Sequence, residues 1–574
     1  MRAMIEEFQQ AWDELTAPGA QFATTTMDVR GVPIKVFESA LPSMRTVWEM
    51  ARGYGDRDYV VYEDERFTFA EADANIRALA ARLVDVHGVQ PGDRVALAMR
   101  NYPEWVFGYW ATISIGAAAV GMNAWWTPEE MKYGLSDSKP KVLIADSERV
   151  ERLLPVLDEL RAEAPMTLMT VRYDGELPED AERWADVIDP AAAPAELPDV
   201  EIDPDDDACI FYTSGTTGFP KGAQLTHRGS VHNLLNLVFM SSVAGLASAK
   251  AGVEPAAPPA EPAAQAVFMA PTPLFHVTAN NCLLHPATIA GGRIVFTYKW
   301  DAGRALELIE REGVTNFSGV PTMSREMLMH PDWDTRDTST LAGMGGGGAP
   351  LQPDLVDKID KSLKGGAPST GYGLTETHGI VTANSGSLYV AKPSSCGRVV
   401  PTLEAKLVDE NDNEVPAGQP GELCVRGAVV IKGYLNRPEA TADSIRDGWF
   451  HTGDVATIDE DGFVFIVDRI KDMVLRGGEN VYCSEVEAAI YKLDGVAEAA
   501  VFGVPDDRLG EIVGAAIVLS PGASITEEQL TATLGEHLAK FKVPERVWFL
   551  NDSLPRNANG KFVKRDLKES LLGS

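Results

Sequence analysis

The chain has 574 residues, of which 45% are hydrophobic and 24% charged, as in an ordinary globular protein that is too long for one hydrophobic core. Its formal net charge of −33 argues against nucleic acid or an anionic membrane surface as a partner. The five cysteines are far apart and include no C-x-x-C pair, which argues against a zinc site or a disulfide framework and favours reduced thiols in the cytoplasm.

The first 150 residues alternate predicted helices and strands. Thr68 is a candidate N-cap with Glu71 in the capping-box position, and strands are predicted at residues 95–99 and 142–145. The uncharged run 105–126 is long enough to cross a bilayer, but its glycines and polar residues favour a buried helix and then a short strand. We therefore expect an α/β fold with a mainly parallel sheet and no transmembrane segment.

A glycine- and threonine-rich stretch at residues 212–222 follows a predicted buried strand at 208–212. Three glycines, a proline and four Ser/Thr residues exclude regular structure there and offer free backbone N–H groups, hydroxyls and one ammonium. Those groups suit phosphate, although the Walker spacing is absent. A solvated linker is the alternative, but the amphipathic segment 225–239 follows at once, so we predict a nucleotide-binding loop.

The composition and the predicted secondary structure change twice in the later part of the chain. Residues 244–262 are rich in Ala and Pro and are predicted to be a surface excursion, and short strands begin after about residue 396. The last 100 residues carry their own helices, one predicted at 526–540 with Thr526 and Gln529 as a capping box.

Four more clusters carry chemistry. In residues 369–377, glycines bracket Tyr372, whose ring can face a purine, while Thr375 can reach a phosphate and Glu376 is a hard oxygen ligand for Mg²⁺. Asp454 can accept both hydroxyls of a ribose, and a tight turn is an equal alternative. The stretch 468–472 alternates charges at the end of a predicted strand, a pattern that is also typical of a solvated turn. The Asn-Gly turn before Lys561 presents that lysine, although an exposed lysine is common.

In this order and at these separations, the five stretches resemble the adenylate-forming superfamily of acyl-CoA synthetases, luciferases and carrier-loading adenylation domains. The resemblance runs from about residue 40 to about 568 and extends to residues 123–130, 273–276, 345–350 and 477–481. It implies a large N-terminal domain, residues 1–468, of sheets flanked by helices, and a small mobile α+β C-terminal domain, residues 469–574, with a hinge near Lys471. Thr370 and Trp125-Trp126 depart from the usual pattern, which leaves details of the pocket open.

The resemblance also implies roles for individual residues toward ATP. Lys561 would be the catalytic lysine between the substrate carboxylate and the α-phosphate, with Thr375 on the α-phosphate and Glu376 on Mg²⁺. Asp454 would accept the ribose hydroxyls and Arg469 would make a second ribose or phosphate contact. The remaining residues expected at the nucleotide are Thr213, Ser214, Gly215, Thr216, Thr217, Gly218 and Lys221 at the β- and γ-phosphates, Gly348, Ala349 and Pro350 at the adenine wall, and Gly371, Tyr372 and Gly373 at the stacking face.

Roles toward the acid and coenzyme A follow from the same resemblance. His276 is expected to act as a gate at the acyl site, where Val277, Val320 and Leu374 supply apolar lining. Gly346 and Gly347 leave the wall without side chains, which permits a long chain. The hinge and the coenzyme A side are assigned to Lys471, Gly477, Gly478 and Glu479.

The expected reaction joins a carboxylic acid to AMP and then to the thiol of coenzyme A, releasing pyrophosphate and AMP, with ATP, Mg²⁺ and coenzyme A required. A medium- or long-chain fatty acid is preferred as substrate, and an aryl or cinnamate-like acid is second. A luciferase-like oxygenase, a carrier-loading enzyme and a non-catalytic nucleotide-binding protein stay as alternatives, although the dozen residues after Phe562 leave no room for a carrier domain. The expected partners are the acid, ATP, coenzyme A and a second copy in a homodimer.

Overall fold

The computed structural model describes residues 1–163, 165–213, 219–252, 264–349, 351–477, 479–557, 560 and 562–573. Among the predicted site residues, eight lie outside these ranges, and they are Ser214, Gly215, Thr216, Thr217, Gly218, Pro350, Gly478 and Lys561.

The N-terminal part alternates helices and strands as predicted. Thr68 caps its helix with the full capping box to Glu71, and the same arrangement at Thr127 and Glu130 begins another helix. The elements in chain order are α1 Arg2–Thr16, β1 Thr24–Val29, β2 Val32–Phe37, α2 Met44–Ala51, β3 Asp58–Tyr62, β4 Glu65–Thr68, α3 Phe69–Asp85, β5 Arg94–Ala98, α4 Pro103–Ser114, β6 Ala118–Gly121, α5 Pro128–Ser138, β7 Val142–Asp146, α6 Ser147–Leu153, α7 Leu157–Glu163, β8 Thr167–Val171, β9 Ala181–Arg183, α8 Trp184–Val187, β10 Asp207–Thr213 and β11 Lys221–Thr226.

Seven of these strands form one sheet in the order β11-β10-β6-β5-β7-β8-β9. Its strands are parallel apart from β11, which returns antiparallel to β10. The uncharged run considered as a membrane span divides into α4 and β6, both buried, as predicted.

The middle of the chain builds a second, larger sheet. Its elements are α9 His227–Lys250, β12 Val267–Ala270, α10 Val277–Ala279, α11 His285–Ile289, β13 Arg293–Phe296, α12 Ala302–Glu312, β14 Asn316–Gly319, α13 Pro321–Met329, β15 Gly343–Gly347, α14 Pro353–Ser362, β16 Ala367–Tyr372, β17 Thr382–Ser385, α15 Gly386–Ala391, β18 Gly397–Val399, β19 Leu403–Val408, β20 Gly421–Gly427, α16 Pro438–Ser444, β21 Ile445–Arg446, β22 Trp449–Ile458 and β23 Phe463–Arg469.

This sheet has 14 strands, with a parallel block of β16-β15-β14-β12-β13-β3 continued on both sides by antiparallel strands. Ligands of parallel sheets bind beyond the carboxyl ends of the strands, because loops open there. Thr213, Gly319, Gly347 and Tyr372 are the last residues of β10, β14, β15 and β16. The predicted site residues therefore follow the strand ends.

Helix α9 corrects one prediction. It begins after the cap residue Thr226 and continues to Lys250, so residues 244–250 are helical and do not belong to a surface excursion. Ala, Leu and Lys are good helix formers, and the prolines that suggested a loop come later, outside the described residues. Of the helices in the described ranges, α9 is one that is apolar and long enough to cross a membrane, and 56% of the window is buried inside the protein, as in a core helix.

The C-terminal elements form a separate sheet of five strands. They are β24 Val474–Arg476, β25 Glu479–Val481, α17 Cys483–Ile490, β26 Val496–Asp506, β27 Gly510–Leu519, α18 Glu527–His537, β28 Arg546–Leu550 and α19 Lys564–Leu572. The predicted capping box at Thr526 and Gln529 is present, but α18 ends at His537, three residues earlier than predicted. Two of the hydrophobic clusters in the protein are formed entirely by residues after Lys471.

Candidate active site

A cavity of about 1580 Å³ lies where the strand ends, α9 and the C-terminal residues meet. The structure brings many of the predicted site residues to its wall, although they come from distant parts of the chain. These residues are Thr213, Lys221, His276, Val277, Gly346, Gly347, Gly348, Gly371, Gly373, Leu374, Thr375, Glu376, Arg469 and Lys471.

The two ends of the predicted phosphate loop are held together by a hairpin. Thr213 and Lys221 are register partners of β10 and β11, and the Thr213 hydroxyl lies 3.4 Å from the Lys221 carbonyl oxygen, to which it donates. The Lys221 ammonium lies 4.5 Å from the centre of the Tyr434 ring. A cation over an aromatic face is stabilised, so the ammonium is held at the cavity wall. The glycines and hydroxyls between these residues lie outside the described ranges, and their contact with phosphate stays a prediction.

Tyr434 also fixes the predicted metal ligand. Its hydroxyl donates to Glu376 Oε1 over 2.9 Å, and the Glu376 carbonyl oxygen accepts from the Ile431 N–H at 3.0 Å. Burial, followed by the neighbouring Glu376 carboxylate, raises the pKa of Tyr434, so this phenol stays a donor. Glu376 and the neighbouring Thr375 hydroxyl supply hard oxygen atoms at the wall, a donor set that suits Mg²⁺.

A second network joins Tyr372, Asp454 and Arg469. The Tyr372 hydroxyl donates to Asp454 Oδ2 at 2.6 Å, and Arg469 Nε donates to Asp454 Oδ1 at 3.1 Å. Asp454 and Arg469 face each other because they are register partners of the antiparallel strands β22 and β23. Asp454 is only 3% exposed, and burial together with this carboxylate raises the pKa of Tyr372. Thr452 and Gly453, just before Asp454, line the cavity, whereas Tyr372 and Asp454 themselves are not among the residues of its wall.

The glycines of β15 are required by the neighbouring strands. A Cβ at Gly345 would lie 1.8 Å from the Ser369 carbonyl oxygen, and one at Gly346 would lie 1.6 Å from the Gly319 carbonyl oxygen. Gly346 also has a φ of 154°, which other residues rarely adopt. The bare wall at Gly346 and Gly347 is therefore a consequence of close strand packing, and it still leaves the cavity open at that point.

The predicted acyl-site residues lie at the start of two helices. His276 caps α10, and its Nδ1 accepts from the Thr278 N–H at 3.2 Å. Val277 and Val320 are buried, 3% and 5% exposed. Val277 is part of the cavity wall, whereas Val320 contacts the turn that precedes Lys561, since a Cβ at Gly560 would lie 3.1 Å from Val320 Cγ2.

Described residues on both sides of Lys561 lie at the cavity. Arg556, Asn557 and Phe562 flank this lysine and line the wall. None of the described residues of the β24–β25 hairpin lines the cavity. The Gly477 N–H donates to the Leu509 carbonyl oxygen at 2.8 Å, and Glu479 is exposed. Ala349 is likewise outside the described lining. The roles of Gly477 and Glu479 toward coenzyme A stay predictions.

Several residues of the site were not predicted from the sequence. Tyr434 is the clearest, because it holds both Glu376 and Lys221, and the apolar wall also includes Leu237, Met240 and Ile380. Tyr434 follows Gly433 after a short apolar run, a pattern that does not distinguish it from other buried tyrosines. Only its contact across 58 residues of sequence shows its role.

One further group of possible metal ligands lies in the antiparallel part of the second sheet. Ligand atoms of Glu422, Cys424 and His451 lie within 4.8 Å of one another. The Arg446 guanidinium, however, already approaches His451 Nδ1 at 2.7 Å. The Arg446 guanidinium therefore already supplies a positive charge at this group of side chains. The group is not a metal centre of the candidate site.

Comparison with known proteins identifies the family. The sequence model of the AMP-binding enzyme matches residues 47–435, and that of the AMP-binding enzyme C-terminal domain matches residues 485–561. The chain belongs to the AMP-binding enzyme family. This confirms the predicted adenylate-forming superfamily and the acid–thiol ligase class of enzyme.

Individual relatives agree over nearly the whole chain. A feruloyl-CoA synthase of Amycolatopsis sp is 36% identical over 87% of this chain and 93% of its own. A long-chain-fatty-acid–CoA ligase of Escherichia coli O157:H7 is 34% identical over 94% of this chain and 97% of its own. The crystal structure of ATP-bound MatB from Rhodopseudomonas palustris is 31% identical, with a TM-score of 0.77, and covers 91% of this chain and 98% of its own. The predicted fold class is therefore confirmed.

Proposed function

We propose that this protein is an ATP-dependent carboxylic acid–CoA ligase that acts on apolar acids, with a medium- or long-chain fatty acid preferred. The observation that supports it most is the meeting in one cavity of the phosphate-loop ends, the Glu376–Tyr434 pair and the described residues on both sides of Lys561. Relatives named for a long-chain fatty acid and for ferulate both support coenzyme A ligation.

In the first proposed step a carboxylate oxygen of the acid attacks the α-phosphorus of ATP, the bond from that phosphorus to the bridging oxygen breaks, and pyrophosphate leaves. Catalysis of such a displacement is mostly positioning and charge neutralisation. Lys561 is proposed to hold the attacking carboxylate against the α-phosphate. Thr375 contacts that phosphate, Lys221 and the residues of the preceding loop contact the leaving group, and Asp454 with Arg469 orient the ribose.

Mg²⁺, with Glu376 as its protein ligand, would neutralise phosphate charge when bound. Tyr434 orients the Glu376 carboxylate for this through its hydroxyl donor.

In the second proposed step the sulfur of coenzyme A attacks the acyl carbon, the bond to the AMP oxygen breaks, and AMP leaves. The two steps need different groups at one place, so the proposed C-terminal domain, residues 469–574, turns about a hinge near Lys471 relative to residues 1–468. In the described residues, Arg556, Asn557 and Phe562 line the cavity and the β24–β25 hairpin does not. That arrangement is the one the first step requires.

We propose an apolar acid because the described residues on the acyl side of the cavity wall are hydrophobic. Val277, Leu374, Ile380, Leu237 and Met240 supply hydrophobic lining. An aryl acid is the second candidate, favoured by the relative that is a feruloyl-CoA synthase.

The substitution Lys561→Ala tests the mechanism. We expect it to lower acid-dependent pyrophosphate release by about 100-fold or more, the usual cost of one lost charge-stabilising contact. It should still convert supplied acyl-AMP and coenzyme A to thioester. Lys540→Ala, an exposed lysine of the same domain, is the matched control. An equal loss of both steps in Lys561→Ala would refute the assignment.

A further inference from the structure

The cavity extends well beyond the nucleotide end of the site. Near that end, its lining residues Cys282 and Gly379 are adjacent to Asn233, because a Cβ at Gly379 would lie 2.4 Å from Cys282 Sγ and 3.4 Å from Asn233 Oδ1. From there the wall follows α9 through Met240 and Gly245. At a rise of 1.5 Å per residue, the twelve positions from Asn233 to Gly245 correspond to about 18 Å of helix. This is the length of an extended aliphatic chain and exceeds that of a single-ring acid.

Helix α1, which packs on α9, also lines the cavity. Met4 and Phe8 line the cavity, and Phe8 is 6% exposed. The helix is fixed on α9 by an edge-on contact of Trp12 with Phe239 at 4.8 Å and by an ion pair of Glu14 with Lys250 at 2.8 Å. It also precedes residue 47, where the family match begins. A part of the chain outside the match to the family model therefore contributes to the cavity wall.

Small residues on α9 leave the space open. Ala244, Gly245 and Ser248 lie on the wall that faces this end. Gly245 and Ser248 are exposed, and a Cβ at Gly245 would meet nothing within 4 Å, so this end of the cavity opens to solvent and a larger side chain at Gly245 would extend into the opening. Glu7 of α1 also lines the cavity and places a negative charge at its distal end, which disfavours a second carboxylate there.

We propose that the space between α1 and α9 holds the distal part of the acyl chain, and that Gly245 and Met4 set the accepted length in favour of long monocarboxylic acids. The inference rests on the proposed function, because it names the acids that the proposed ligase selects. A longer apolar chain gains affinity from each methylene that it buries in this space.

The direct test is Gly245→Leu, which fills the open space with a side chain that favours helix. We expect kcat/KM for hexadecanoate to fall by about tenfold or more, mainly through KM, since filling one methylene site in an apolar pocket changes selectivity by 10-fold to 200-fold. The value for hexanoate, which ends before this space, should change by less than about twofold. Met4→Trp, in α1, should shift selectivity in the same direction.

Gly535→Leu is the matched control, since Gly535 is an exposed helical glycine of α18 with nothing within 4 Å of its Cβ position. It should keep the wild-type profile of chain lengths. An unchanged profile of chain lengths in Gly245→Leu, or an equal loss of activity for all acids, would overturn the inference. The activity of the wild-type protein would still support the proposed function. Absence of AMP formation by the wild type with every acid would instead overturn the proposed function, and this inference with it.

Discussion

At the scale of single residues, the site depends on side chains that hold other side chains. Tyr434 donates to Glu376 and receives the Lys221 ammonium on its ring, so one phenol orients a proposed metal ligand and a proposed phosphate contact. Tyr372 and Arg469 do the same for Asp454. These supporting contacts reduce the freedom of the groups that would meet ATP, which is how a site is prepared for its ligand.

Tyr434→Phe tests this role. The substitution keeps the ring under Lys221 and removes the donor to Glu376, so we expect the apparent affinity for Mg²⁺ and ATP to fall by about 1 kcal/mol, or about fivefold. Titration of Mg²⁺ against pyrophosphate release measures it. Tyr173→Phe removes a phenol that donates to the Glu176 carbonyl oxygen and should leave the titration unchanged. Equal affinities in Tyr434→Phe and the wild type would show that Glu376 does not need this donor.

Sequence reasoning succeeded where the signal is local. The capping boxes at Thr68 and Thr526 and the strand before the phosphate loop are contained in a few adjacent residues, and all are present. It did not find Tyr434, because the contact with Glu376 joins residues 58 positions apart, and local pattern carries no trace of such a pair. It also ended α18 too late and assigned residues 244–250 of α9 to a surface excursion, since helix ends are difficult to place from local pattern.

At the scale of elements, a buried charge cluster joins β23 to the C-terminal helices. Asp468 on β23 accepts from the Arg469 N–H at 2.8 Å and from the Cys483 N–H at the start of α17. Nearby, Lys564 of α19 pairs with Glu487 of α17 at 2.8 Å. Burial, only partly offset by the Lys564 ammonium, raises the pKa of Asp468 from 3.8 to about 6. The fold therefore stabilises the protonated form of this carboxyl group.

Asp468→Asn should reveal the cost of that charge. A carboxyl group whose pKa is higher in the folded protein destabilises it progressively as pH rises from about 4 to about 6, and by a constant amount above 6. We expect the substitution to raise the free energy of unfolding by on the order of 1 to 3 kcal/mol at pH 8 and by less at pH 5. Denaturant unfolding at both values of pH measures it. The exposed Asp552→Asn should have no effect at either pH; a gain in Asp468→Asn that is larger at pH 5 would contradict the account.

The hinge element offers a second test. In the backbone between β23 and β24, the Ile470 N–H bonds to the Gly453 carbonyl oxygen and the Asp472 N–H to the Arg469 carbonyl oxygen. Lys471→Pro would stiffen this connection by fixing φ. We expect it to keep acid-dependent pyrophosphate release within about twofold and to lower thioester formation by about tenfold or more. Unchanged overall turnover in Lys471→Pro would refute the proposed rotation.

At the scale of the whole molecule, one cavity draws on three separate parts of the chain. The sheets supply strand ends, α9 and α1 supply part of the wall, and the C-terminal part supplies residues on both sides of Lys561. In a chain with a net charge of −33, the basic residues Lys221, Arg469, Lys471 and Arg556 at the cavity provide local positive charge for an anionic nucleotide. The molecule as a whole is therefore suited to bring ATP and a carboxylic acid to one place.

The most direct test is a panel of carboxylic acids given to the wild-type protein with ATP and Mg²⁺, scored for AMP formation with and without coenzyme A. The account predicts AMP formation that depends on both the acid and coenzyme A, pyrophosphate as the other product of ATP, and the highest kcat/KM for long straight-chain acids. Release of ADP and phosphate, or no pyrophosphate with any acid, would contradict it.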